Sequence, residues 1–234
     1  MRVLVGTSGY AYKEWKGTFY PDDLPADEML PYYARQFDTV EINNTFYRMP
    51  NNKNIAAWSS AVPDGFTFVL KASQKITHFA RLQNADDSVR YLCATALQLG
   101  AKLGPLLFQL PPNFKKDVDR LRSFLPSIDQ EVRCAFEFRH ESWFAADTYE
   151  LLRSRNVALC VADTEAGNTP LEATADFGYV RLRDEGYVTQ DLADWARRLR
   201  DAGAGWKDAF VFFKHEESGK GPALAREFRE IIGN

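Results

Sequence analysis

The run C-A-F-E-F-R-H-E-S-W, residues Cys134 to Trp143, sets apolar Phe136 and Phe138 in strict alternation with charged Glu137 and Arg139. Period-two alternation marks a strand, because successive side chains leave opposite faces. The phenylalanines then face a hydrophobic layer, and the two charges share the other face about 7 Å apart. Such a strand fits the upper end of a closed barrel, where a filled interior gives way to a pocket. It fits equally an amphipathic strand of an ordinary sheet with both charges in water. The rest of the chain decides between these readings.

Upstream, strands are expected at residues 3–10, 39–47, 66–73 and 103–112; downstream, at 157–163, 178–183 and 209–216. Helical patterns follow most of them, near 27–36, 54–61, 85–99, 117–125, 145–155, 189–202 and 222–232. The connection after strand 6, T-E-A-G-N-T-P-L-E-A-T-A-D, carries no convincing helix, so one outer helix is expected to be missing or reduced to a turn. Alternating strands and helices imply α/β with parallel strands, and eight such units imply a single (β/α)8 TIM-type barrel over residues 1–234. The runner-up, a doubly wound open sheet, lacks its G-x-G-x-x-G turn. The connection 11–26 is long and aromatic, with Tyr12, Trp15, Phe19 and Tyr20. It reads as a lid or as a plug, and the plug is favoured because aromatic loops mostly bury themselves.

Composition narrows the class. The 234 residues are 45% hydrophobic and 26% charged, with a net charge of -3 and no polybasic run. Nothing there recruits a membrane or long nucleic acid. Cys93, Cys134 and Cys160 show no C-x-x-C spacing and read as buried thiols of a reducing compartment. The N-terminus enters a strand without a secretory h-region, and no apolar run spans a bilayer, so a cytoplasmic protein is expected.

The strand ends carry the chemistry. Strands 2 to 8 each place polar residues inward near the C-terminal end: Glu41 with Asn43, Lys71 with Ser73, Gln109, Glu137 with Arg139, Asp163, Arg181 with Arg183, and Lys214. Barrels of this class hold their active sites at that end. The ring's five bases exceed its three acids, which suits an anionic ligand bearing phosphate or carboxylate. Glu137, Glu41, Asp163 and Lys71 are the catalytic candidates, with Glu137 as acid or base. Glu41 and Lys71, on adjacent strands, could instead be a plain structural ion pair. Arg139, Arg181, Asn43, Gln109, Lys214, His78, Tyr47, His140 and Trp143 are the binding candidates. His140 could be loop packing, and Tyr47 and Trp143 could be wedges between loops rather than stacking platforms. A divalent metal shared by Glu137 and Asp163 is not favoured, since the three histidines show no ligand spacing. An enzyme acting on an anionic substrate is the first reading. A non-catalytic binder of a phosphate-containing ligand or single-stranded nucleic acid is the second, with nucleic acid not favoured as partner. A scaffold whose pocket its own loop fills is the third.

Six ordered motifs carry a resemblance: G-T-S-G-Y at 6–10, W-x-G-x-F-Y-P at 15–21, V-E-I-N-N-T-F-Y-R-M-P at 40–50, K-I-T-H at 75–78, Q-L-P-P-x-F at 109–114 and F-E-F-R-H-x-S-W at 136–143. Together they resemble the YecE-like family, domain of unknown function 72. The resemblance implies a TIM-barrel-like fold and supplies no activity, substrate or cofactor. Strand 8 departs from a frequent form of the family, which ends F-N-N, and reads F-K-H-E at 213–216.

Overall fold

The structure, a computed structural model, describes residues 1–164, 167–184, 186–216 and 219–233. Eight parallel strands form the wall: β1 Arg2–Thr7, β2 Thr39–Ile42, β3 Thr67–Lys71, β4 Leu103–Gln109, β5 Cys134–Glu137, β6 Ala158–Thr164, β7 Phe177–Leu182 and β8 Asp208–Phe213. Their order is β1-β8-β7-β6-β5-β4-β3-β2. Between β2 and β1 the ring is closed at the top, where Ser8 bridges Glu41 and the Gly9 amide donates to the Glu41 carbonyl at 2.7 Å. Close approach at this seam requires glycine. A Cβ on Gly6 would lie 2.2 Å from the Thr39 carbonyl oxygen.

Eight helices follow: α1 Met29–Ala34, α2 Asn44–Tyr47, α3 Asn52–Ser60, α4 Asp86–Ala96, α5 Val118–Phe124, α6 Ala146–Ser154, α7 Thr189–Ala202 and α8 Lys220–Ile232. Their apolar stripes face the wall. In α7, Leu192, Trp195, Ala196 and Leu199 are buried at the i, i+3, i+4, i+7 spacing of one helical face. As the sequence predicts, no helix stands between β6 and β7 among the described residues. A two-residue strand, Gly167–Asn168, pairs antiparallel with the end of β6 there, and residues 165 and 166 lie outside the described residues. No helix among the described residues is long and apolar enough to cross a membrane.

Two cores result from the alternation. Outward side chains such as Val40, Phe68, Phe108, Phe136 and Val211 join the helices. Inward ones such as Val69, Leu107, Ala135, Cys160, Tyr179, Phe210 and Phe212 fill the barrel. The aromatic connection packs into the outer core: Trp15, Phe19 and Tyr20 are buried against Tyr32, Tyr33 and Phe37. It covers a flank of the barrel, so the plug reading holds for its burial but not for its place.

β5 is shorter than its alternation suggests. The Leu110 amide donates to the Glu137 carbonyl at 2.9 Å, and the next donor on its own segment would be residue 112, a proline without an N–H. The chain leaves the sheet after Glu137, and Glu141–Trp143 forms a 3-10 turn. Arg139, expected inward on the strand, is therefore exposed beyond its end.

Candidate functional site

The upper interior holds a buried network centred on Arg181. Alternation along β7 points Tyr179 and Arg181 inward, and the whole Arg181 side chain is inaccessible to solvent. Its Nη1 donates to Glu137 Oε2 at 2.7 Å; its Nη2 donates to Glu41 Oε1 at 2.9 Å and to Ser8 Oγ at 3.1 Å. Glu41 also accepts from Ser8 Oγ and, at 2.5 Å, from the Tyr179 hydroxyl. Glu137 accepts from Gln109 Nε2 on both oxygens at 2.9 Å and from Arg183 Nη2. The donors come from the residue after β1, from β4, from β7 and from the residue after β7, so residues up to 173 positions apart converge on two carboxylates.

Burial alone would raise both carboxyls. For Glu41, Arg181, Ser8 and Tyr179 more than reverse this and hold it below its ordinary value of 4.5. Glu137 is held further down by Arg181, Arg183, Lys71 and Gln109. Such groups are fixed negative charges near neutrality. Glu137 and Glu41, the acid–base candidates, are thus ionised groups held by hydrogen bonds and ion pairs within the barrel. Arg181, expected to clamp a ligand, gives both of its terminal nitrogens to Glu41, Glu137 and Ser8, while its buried Nε has no hydrogen-bond partner.

Lys71 is the exception. Its ion-pair reading with Glu41 does not hold, because the ion pairs of the cluster are Arg181–Glu41, Arg181–Glu137 and Arg183–Glu137. Among the described residues Lys71 has no carboxylate in contact, and its Nζ lies 4.2 Å from the centroid of the Phe46 ring. It is only 8% exposed. Burial, then the neighbouring Arg181, push the amine down to about 8, against the pull of Glu41 and Glu137. The five buried or nearly buried charges leave a surplus of one cation.

Around this centre the rim is mixed. His78 sits on a π-helical turn, Lys75–Phe79, directly after β3, a geometry often found at functional sites. Its ring meets Phe46 edge-on at 4.9 Å, and its Nδ1 is 2.9 Å from Thr77 Oγ1. Burial, then Lys71 and Arg139, lower its pKa. Tyr47 is 71% exposed and Phe79 72% exposed on the connections after β2 and β3. Lys214 is half-buried and 3.4 Å from Glu216. Asn43 ends β2 with a buried Oδ1 lacking a hydrogen-bond partner. It lines a cavity of about 160 Å³ with Gly9, Tyr12 and Asn44. Gly9 has φ +91°, and a Cβ there would strike the Tyr12 ring.

Three expected residues lie elsewhere. Asp163 has the outward parity on β6, where Cys160 points inward; it accepts from the Arg183 amide at 2.6 Å and faces a groove bordered by Asp184, Asp191 and Trp195 of the outer layer. Burial pushes it up to about 6, but it shares no site with Glu137. Trp143 is a buried wedge: it stacks on Phe138 at 4.6 Å and donates its indole N–H to the Phe114 carbonyl at 2.8 Å. His140 caps the 3-10 turn, its Nδ1 accepting from the Ser142 amide at 3.2 Å. Among the described residues no group of three or more His, Cys, Asp or Glu is placed to hold a metal ion. Ser8, Tyr179 and Phe46 are the members the sequence reading missed. Ser8 and Tyr179 have the inward parity of Leu4 and Arg181 on their strands, which was the available signal.

Comparison with known proteins follows the same architecture. A family model described as "Protein of unknown function DUF72" matches residues 4–234. UPF0759 protein YunF of Bacillus subtilis is 26% identical, with 98% of this chain and 94% of that protein aligned. UPF0759 protein YecE of Escherichia coli K12 is 32% identical over 55% of this chain and 47% of its own length. A crystal structure of a DUF72 family protein from Thermotoga maritima covers both chains fully at a TM-score of 0.89 and 26% identity. One from Enterococcus faecalis covers 100% of this chain and 98% of its own at a TM-score of 0.79 and 18% identity, a likeness of fold.

Proposed function

Because the chain belongs to the DUF72 family, whose description carries no reaction, we propose from its site that it is an enzyme acting on a small anionic substrate at the C-terminal mouth of the barrel. One observation carries this reading: the buried acids are saturated by Arg181, Arg183, Ser8, Tyr179 and Gln109, while among the described residues the Lys71 amine has no carboxylate in contact. A surplus cation in a low-dielectric hollow is held at a cost in stability, and an anion supplied from solution offsets that cost. Lys71 and Arg183, which is 17% exposed, face the phosphate or carboxylate. Glu137 orients Arg183, and Arg139 and Lys214 attract the ligand from the rim.

Calorimetric titration with inorganic phosphate and with small phosphorylated and carboxylated compounds at low salt tests the binding step. The wild type is expected to bind, and Lys71→Met to lose at least about tenfold in affinity, or about 1.4 kcal/mol. Equal affinity in the two proteins would remove Lys71 from the site. A turnover panel on the compounds that bind then separates an enzyme from a binder.

The exposed rings of Tyr47 and Phe79 favour a second reading, a binder of phosphate-containing ligands with bases, including single-stranded nucleic acid. It requires steeply salt-dependent binding without turnover, weakened by Tyr47→Ala.

A further inference from the structure

The position of Lys71 supports more than charge. Its amine ends β3 at the mouth, nearly buried, with its Nζ against the Phe46 face and, among the described residues, no carboxylate in contact. The charged groups that act on it come from across the barrel as well as from the adjacent strand: Arg181 and Arg183 from β7 and its end, Glu41 from β2, Glu137 from β5. Of these, Glu41 and Glu137 are committed to the arginines. A desolvated lysine beside guanidiniums is the setting that yields a neutral, nucleophilic amine. His78 packs on the same Phe46 ring, and with Nδ1 facing the Thr77 hydroxyl, Nε2 is the nitrogen left to take up and give back a proton.

We propose that Lys71 is a covalent carbonyl-binding residue, forming a Schiff base with the aldehyde or ketone carbon of an anionic substrate. This rests on the anionic-substrate reading above and names its class: a small compound with a carbonyl and a phosphate or carboxylate. The Nζ lone pair adds to the carbonyl carbon, and the carbonyl π pair moves to oxygen. One amine proton is passed to that oxygen, giving a neutral carbinolamine. His78 in its protonated form then donates to the hydroxyl, which departs as water while the nitrogen lone pair forms C=N. The resulting iminium returns a proton to His78. The sum is amine plus carbonyl giving imine plus water, with no oxidant or reductant. Arg183 holds the anionic group meanwhile. The pKa of about 8 fits this use, since an appreciable fraction of the amine is neutral near pH 7.5.

Reductive trapping tests it on the intact protein. Wild type is incubated with glyoxylate, or with uncharged glycolaldehyde, in the presence of sodium cyanoborohydride, whose hydride converts the imine to a stable secondary amine. Intact mass and peptide mapping locate the adduct. Glyoxylate is expected to label Lys71 at least about tenfold faster than exposed Lys13, Lys53 or Lys115, with no such fast phase in a folded Lys71→Arg protein. Labelling spread evenly over surface lysines overturns the proposal, and this outcome is read on the wild type alone. If glycolaldehyde labels Lys71 as selectively as glyoxylate, the Schiff base stands and the anionic reading falls. If phosphate binds and is lost in Lys71→Met but no adduct forms at Lys71, the anionic reading stands and the Schiff base falls.

Discussion

Two layers of the barrel interior lie one step of the pleat apart on the same strands and are held by different forces. The lower layer, with Val69, Leu107, Ala135, Cys160 and Phe210, is apolar and packed on itself. The upper layer, with Ser8, Glu41, Lys71, Gln109, Glu137 and Arg181, is as deeply buried but charged. Tyr179 joins them, its ring in the lower layer and its hydroxyl on Glu41. Apolar burial is non-directional and roughly proportional to area. The upper layer depends on each partner, because a buried charge is tolerated only when paired and hydrogen-bonded. Stability concentrates in the lower layer, and chemistry concentrates where one charge in the upper layer is left over.

The sharpest way to break the comparison is Glu137→Gln. It removes one of the two carboxylates of Arg181 and the carboxylate of Arg183, and urea unfolding at pH 7 should show a loss of roughly 3–5 kcal/mol. Because the folded carboxyl lies below its ordinary 4.5, its contribution is complete above that pH and is lost as pH falls through the folded value. The wild type should weaken below about pH 4.5, and the variant should show a flatter dependence there. Leu107→Ala, in the lower layer, should cost roughly 2–5 kcal/mol through lost burial and a cavity, with the wild-type pH dependence unchanged. Equal pH slopes in these two variants would erase the distinction between layers.

Lys71→Met should act in the opposite direction, raising stability by roughly 1–3 kcal/mol at pH 7 while removing anion binding. The sign follows from protonation. Below pH 8 both folded and unfolded chains carry the proton, so the full penalty of the buried ammonium applies. Between about 8 and 10.5 the unfolded chain holds more protons, so wild-type stability rises with pH and the penalty disappears. The variant should lack this rise. The smallest effect belongs to Arg139→Ala: a stability change within about 0.5 kcal/mol, measured by thermal unfolding, since the side chain is exposed.

Much of the site was legible. Alternation alone placed Glu41, Lys71, Gln109, Glu137 and Arg181 on the inner face, and all five are there. Asp163 failed because strand 6 was read from its last residue: Cys160 sets the inner parity of β6, and Asp163 falls on the other face. Arg139 lies outside because the alternating pattern extends past the end of its strand, whereas Trp143 and His140 take the loop-wedge and loop-packing places that stood as alternatives to binding. Ser8 and Tyr179 were overlooked as small or aromatic residues among charges, although their parity matched. Phe46, on the short helix α2, had no strand parity to reveal it.

The sequence by itself determined the number of strands, the barrel and most of the residues that face inward, because side-chain direction along a strand is a local property of the backbone. Tertiary structure decided which inward charges meet. Pairing depends on how far each strand is staggered around the wall, and that stagger brought Arg181 level with Glu41 and Glu137 while leaving Lys71 with the Phe46 ring. It also decided where β5 ends: the last rung to the neighbouring segment runs from the Leu110 amide to the Glu137 carbonyl, and Arg139 lies beyond it.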